Sequence, residues 1–251
     1  MGGAADKRYS LGLNMSNGKC YWCAAPATSR EHVPPKCIFP ELGDTVDGRN
    51  HREQLITVPA CELHNVAKSH DDEYLLYILA LNILNNSVGH AQAATKVLRA
   101  FKRAGGLAAR VMGTTRSVLV EKIGTGKVDQ TVAVKIDDTR LSNALEHIAR
   151  AIYFNHFGKR WIARVRTFPE FLVLLDLPTA LDRNERFEAL RHSANELFAS
   201  SERHGANQDV FFYQVLEDPN DSSQLIMRTS FYGSTRALML FTLEEPGPQS
   251  A

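Results

Sequence analysis

Two short chelating pairs constrain this chain more than any other feature: Cys20-Tyr-Trp-Cys23 and Cys61-Glu-Leu-His64, each enclosing two residues and separated by 37. A pair at this spacing can bite one tetrahedral zinc ion from a tight turn, and two such pairs complete a Cys3His set. The segment between them is rich in proline and poor in helical apolar pattern, so its order must come from somewhere other than a large core. A structural zinc ion supplies folding free energy on the order of 10 kcal/mol, enough for that purpose. The competing reading is two coincidental pairs of buried thiols.

Composition narrows the setting. The chain has 251 residues, with 29 Lys and Arg against 28 Asp and Glu, so no global charge announces a polyanion and any such site must be local. No window approaches 18 apolar residues, and the polar, Gly-rich start matches no signal peptide; Asp6 stands where myristoylation would need Ser or Thr. Cysteines paired for metal rather than for disulfides point to a reducing compartment, so a cytoplasmic protein without membrane attachment is expected.

Residues 1–18 read as a flexible lead-in, 19–86 as a zinc-stabilised module and 87–251 as an α+β region for target or partner recognition; the fold class is α+β. Apolar spacing from Asp71 predicts a helix to about Asn85, and a second is expected from about Ala91 to Ala104, with Lys96, Arg99 and Arg103 on one face. Ser117 to Ile136 reads as a hairpin around Gly124-Thr125-Gly126-Lys127. It is no Walker loop, because Glu121 and Val128 occupy positions that need Gly and Ser or Thr. Asp138 is expected to cap a helix ending near Gly158, and strands over 171–175, 210–216, 225–232 and 237–242 are expected to flank a helix near 183–198.

Between the pairs lies Ser29-Arg30-Glu31-His32-Val33-Pro34-Pro35, and Asn65 directly follows the second pair. C-x2-C, acidic-His-x-x-Pro and C-x2-His-Asn, in that order, resemble the HNH, or ββα-metal, endonuclease family over about residues 18–72. The resemblance implies phosphodiester hydrolysis, with His32 as general base and Glu31 and Asn65 as ligands of a catalytic Mg2+ or Mn2+ distinct from the zinc. The residue types suit those tasks: imidazole can take a proton from water at neutral pH, whereas oxygen donors suit a hard cation. His70 is a candidate third ligand of the catalytic ion or a surface histidine, and Arg30 and Lys68 are candidate phosphate contacts.

The chain departs from the family pattern in two places. The acidic position is more often Asp than Glu, and where a middle Asn orients the base this chain has Leu55, leaving Asn50, His51 and Gln54 as nearby candidates. Cys37 has no partner at ligand spacing. Lys159, Arg160, Arg164 and Arg166 around Trp161 offer either a strand-binding surface with a stacking ring or an ordinary half-buried strand. The implied substrate is DNA, with RNA as an alternative. Restriction, phage defence or mobile-element processing, under control of a regulatory protein partner, is the implied setting. A zinc-stabilised nucleic-acid- or protein-binding adaptor without catalysis is the reading from another class.

Overall fold

The computed structural model describes residues 18–45, 47–65, 69–113, 115–122, 127–175, 178–218 and 221–243. The chain is α+β, with small antiparallel sheets and helices. An amino-terminal hairpin pairs β1 (Ser29–His32) with β2 (Thr57–Ala60), setting Glu31 opposite Val58, and α1 (Glu62–Asn65) follows at once. Then come α2 (Ser69–Ala80), α3 (Ser87–Gln92), a π-helical turn at Ala93–Val97, α4 (Leu98–Arg103) and α5 (Leu107–Met112). A two-stranded ribbon, β3 (Arg116–Lys122) with β4 (Lys127–Ala133), leads to α6 (Asp138–Phe157). The remaining elements are β5 (Arg164–Pro169), α7 (Ala180–Leu197), β6 (Phe211–Asp218), β7 (Asp221–Phe231) and β8 (Thr235–Thr242). The last four strands form one antiparallel sheet in the order β5-β8-β7-β6. Among the described residues no helix is long and apolar enough to cross a membrane.

That sheet is covered on both faces, which explains the unbroken apolar run of β8. Ala237, Met239 and Phe241 point into the main core, where Phe241 meets Tyr153 of α6, while Leu238 points the other way onto Ala194 and Phe198 at the end of α7. On the α7 side Arg228 and Glu170 form a buried pair joined by two hydrogen bonds of 2.8 and 2.5 Å, and Arg228 also reaches the Ala194 carbonyl and Asn195, fixing the helix to the sheet. The main core continues from this sheet through α6 and α2 to Cys20 and Tyr21.

Several expected boundaries move, each for a local reason. Helix α2 stops at Ala80 rather than near Asn85, because the buried Asn85 amide donates to the Leu79 and Ala80 carbonyls, at 2.8 and 3.2 Å. Those carbonyls belong to the helix's last turn, and a side chain that satisfies them removes the need for another turn. The second helix begins earlier than expected, at Ser87, because the Asn86 side chain accepts from the Gly89 amide. Asp137, not Asp138, caps α6 through the Arg140 amide, and Gly158 ends it at φ 67°. Residues 171–175 are not a strand; the Asn184 side chain of α7 bonds both the amide and the carbonyl of Leu174, at 2.9 and 2.8 Å, and holds the segment as a loop. The ribbon strands fall where expected, and the 123–126 turn lies outside the described residues.

Candidate metal centre

Cys20 and Cys23 sit on a tight turn closed by Cys20 N–H donating to the Ala25 carbonyl at 2.8 Å, with Ala24 in the left-handed region at φ 63°. The Trp22 amide points back at the Cys20 sulfur, 3.5 Å away, as suits a sulfur that carries negative charge. Cys61 leaves the end of β2, and α1 turns His64 back over it. The four donor atoms all lie within 4.8 Å of one another.

The donor set fits a tetrahedral zinc ion. With bonds of about 2.3 Å to sulfur and about 2.05 Å to nitrogen, tetrahedral edges should be about 3.8 Å between sulfurs and about 3.6 Å from sulfur to nitrogen. Cys23 Sγ to Cys61 Sγ is 3.7 Å, Cys20 Sγ to His64 Nδ1 is 3.7 Å, and Cys61 Sγ to His64 Nδ1 is 3.2 Å. The histidine therefore offers Nδ1, a choice the sequence spacing left open. Cys37 stands apart, its thiol directed at the Asp72 carbonyl. Among the described residues no second group of three or more His, Cys, Asp or Glu ligands converges.

The two residues inside the first pair, which sequence reasoning passed over, join this centre to the rest of the molecule. Trp22 stacks on both His64 and His147 of α6, with centroids 5.3 and 4.3 Å away, and those two rings lie 6.1 Å from each other; the Arg150 guanidinium lies 4.6 Å from the Trp22 ring centroid. Tyr21 is fully buried; its hydroxyl lies 3.0 Å from His147 Nδ1 and hydrogen-bonds Glu31. Burial first, and then the Glu31 carboxylate, holds the phenol protonated far above its ordinary range. A phenol has one proton; given to Glu31, it leaves the oxygen to accept from His147 Nδ1–H.

The strand β1 separates its neighbours by pleat. Glu31 is buried at 4% exposure, while His32 is half-buried and Arg30 is exposed, its guanidinium bonded to the Thr57 hydroxyl and carbonyl. Burial, then the charge of Lys36, lowers the pKa of His32, so its imidazole is neutral and able to accept a proton near pH 7. Asn65 ends α1 against the same strand, its amide nitrogen donating to Ser29 Oγ at 2.7 Å. Ser29 and Glu31 are two residues apart and so share one face of β1.

Among the middle-position candidates, His51 is buried with Nε2 3.4 Å from Asp47 Oδ1, whereas Asn50 is exposed and braces its own turn against Arg52 and Glu53, and Gln54 is exposed at φ 53°. Lys68 lies outside the described residues, as does the side chain of His70, whose backbone opens α2. Of residues 159–166 only 164–166 are strand, as the start of β5; Trp161 precedes it, buried against Tyr153 and Phe241 with its indole N–H on the Arg164 carbonyl, so its ring is not available to stack on a base. No family model, curated protein or solved structure matches this chain.

Proposed function

We propose that the protein is a zinc-stabilised HNH-type endonuclease that hydrolyses phosphodiester bonds, with His32 as general base and Glu31 and Asn65 as ligands of a divalent catalytic ion. One observation carries the reading. The Cys3His frame brings Asn65, at the end of the helix after the second pair, onto the face of β1 that carries Glu31, with a neutral histidine next along the strand. Hairpin followed by helix is the ββα order, and His32, on the opposite face of β1 from Glu31, reaches the same phosphate where the chain turns at Pro34-Pro35. The donor chemistry suits a hard cation: Glu31 is a carboxylate, and Asn65 gives its amide nitrogen to Ser29, leaving its carbonyl oxygen as the ligand atom. Such an ion, when bound, stabilises charge on the phosphate and the leaving oxygen. His32, kept neutral by burial and Lys36, takes the proton of the attacking water, and the relay from His147 through Tyr21 fixes the Glu31 carboxylate.

The test is nicking of supercoiled plasmid by zinc-loaded protein with added Mg2+ or Mn2+, beside His32→Ala prepared identically. Cutting that requires the added ion and vanishes in the variant is expected; absence of cutting on DNA and on RNA with either ion would overturn the nuclease. A second reading, a non-catalytic adaptor, draws on the burial of Glu31 beside Tyr21, an arrangement that equally suits a purely structural carboxylate. An adaptor needs zinc alone.

A further inference from the structure

The chain as a whole is nearly neutral at net +1, yet between positions 96 and 135 nine Lys and Arg stand against two acids, Glu121 and Asp129. The first of these cations are spent on anchoring: Lys96 donates to the Cys37 carbonyl at 3.1 Å, and Arg99 forms two 2.6 Å bonds to Asp44. They tie the α3–α4 helix to the segment that follows His32. Beyond them Lys102, Arg103 and Arg110 are exposed with no ion pair among the described residues, and Lys135 is exposed where the ribbon returns. In sequence these cations bracket the β3–β4 ribbon, seven residues per strand, which among the described residues pairs with no third strand.

By register one face of this ribbon holds positions Ser117, Leu119, Glu121, Val128, Gln130 and Val132, since Ser117 pairs with Val132, Leu119 with Gln130 and Glu121 with Val128 across the strands. Gln130 donates to Ser117 Oγ at 2.7 Å, and Leu119 is 73% exposed. A lone two-stranded ribbon that shows apolar side chains to water is marginal by itself and gains from a partner that covers it. Its shape and chemistry fit the major groove of B-form DNA. That groove, about 12 Å wide, admits a two-stranded ribbon, and it offers donors and acceptors to Gln and Ser and thymine methyls to Leu and Val. The major groove of A-form RNA is too deep and narrow for side chains to read. The flanking Lys and Arg supply the phosphate contacts that position such a ribbon.

We infer that β3–β4 is a duplex-DNA-binding ribbon, seated in the major groove by Lys102, Arg103, Arg110 and Lys135. This deepens the nuclease reading by naming double-stranded DNA as its substrate, and rests on that reading only for what happens to the DNA once bound.

The experiment uses the full zinc-loaded chain carrying His32→Ala, without Mg2+ or Mn2+, and measures fluorescence anisotropy of a labelled DNA duplex and an RNA duplex of the same sequence over a range of salt. DNA should bind at least tenfold tighter than RNA. Replacing Lys102, Arg103 and Arg110 together by Gln should weaken DNA binding at least tenfold and reduce the logarithmic salt slope by about three, at roughly 0.9 per phosphate contact. Leu119→Ser with Gln130→Ala should lower the DNA-over-RNA preference and leave the salt slope unchanged. Circular dichroism and zinc content establish that each variant folds. Equal binding of DNA and RNA, unchanged affinity and slope in the triple variant, an unchanged preference in the ribbon-face variant, or no DNA binding at all would each overturn the ribbon. Plasmid nicking by the unsubstituted chain is scored separately: protein that binds but never nicks loses the nuclease and keeps the ribbon, and the converse loses only the ribbon.

Discussion

Replacing Tyr21 by Phe removes a single oxygen from a fully buried position and should be felt at both of its neighbours. The hydroxyl donates to the buried Glu31 carboxylate and accepts from His147 Nδ1, 126 residues away in sequence. A hydrogen bond to a charged group contributes about 1.5–3 kcal/mol net, and leaving the His147 donor without its acceptor adds about 1 kcal/mol. The expected loss is therefore about 3 kcal/mol, a sizeable share of the 5–15 kcal/mol that typically separates a folded domain from its unfolded chain. Phe fills the same ring volume, so no cavity term enters.

Urea unfolding of the zinc-loaded proteins, followed by circular dichroism, measures the loss, and a cycle with Glu31→Gln assigns it. If Tyr21 acts through the carboxylate, the double variant costs less than the two single variants together by about 1–2 kcal/mol. The same relay makes a prediction about chemistry that stability alone does not. With Glu31 less firmly held, half-maximal plasmid cleavage by Tyr21→Phe should need several-fold more Mg2+, beyond any change in folded fraction. An additive cycle, or a stability loss under about 0.5 kcal/mol, would refute the relay, because a buried hydroxyl with two charged or polar partners cannot be silent.

Two further outcomes follow from the site. Cys61→Ala, or chelation of the zinc, should unfold the region around residues 18–65, since a contribution on the order of 10 kcal/mol exceeds what its small core can replace; one zinc per chain in the unsubstituted protein and none in the variant, by atomic absorption, would accompany the change, and an equally stable zinc-free variant would sink the metal's structural role. Cleavage should persist into mildly acidic solution, because burial and then Lys36 hold the His32 pKa below its ordinary value, and the rate should fall only as pH drops through that lowered pKa. Lys36→Ala removes a neighbouring positive charge, favours the protonated imidazole, and should move the acid limb of the pH–rate profile upward; a limb that stays or moves downward would contradict the assignment.

What could be read from the sequence is what covalent spacing fixes. Two residues between chelators leave a tight turn few alternatives, so Cys20, Cys23, Cys61 and His64 were identifiable as one set without knowledge of the fold. The ribbon and the later helices were legible from alternation, caps and Gly158, which are also local signals. The misplaced boundaries share a different cause. Asn85 ends α2 by bonding carbonyls that precede it, and Asn184 keeps 171–175 out of the sheet from a helix that follows, so in each case a polar side chain competes with the backbone for hydrogen bonds. An apolar period registers the helix but not the side chain that stops it. Tyr21 and Trp22 were passed over for a related reason: their placement inside a chelating pair hints at packing, but nothing near them in sequence names His147 or Arg150 as the partners.

Those partners decide how far the effect of the metal reaches. His64 contributes to the donor set and at the same time packs on Trp22, which also stacks on His147 of α6. Helix α6 also carries Tyr153, which packs on Phe241 of the carboxy-terminal sheet, so a continuous series of ring contacts and core packing runs from zinc ligand to sheet. Loss of the metal would free His64 to rotate off Trp22, leaving Trp22 held by His147 and Arg150 alone. The consequence extends past the chelating turns: the Trp22 stack on His147 of α6 would loosen, and with it the packing around the Tyr21 hydroxyl that orients the Glu31 carboxylate. Structural and proposed catalytic metals are thereby linked through one aromatic pair, Tyr21 and Trp22, which belongs to neither ligand set.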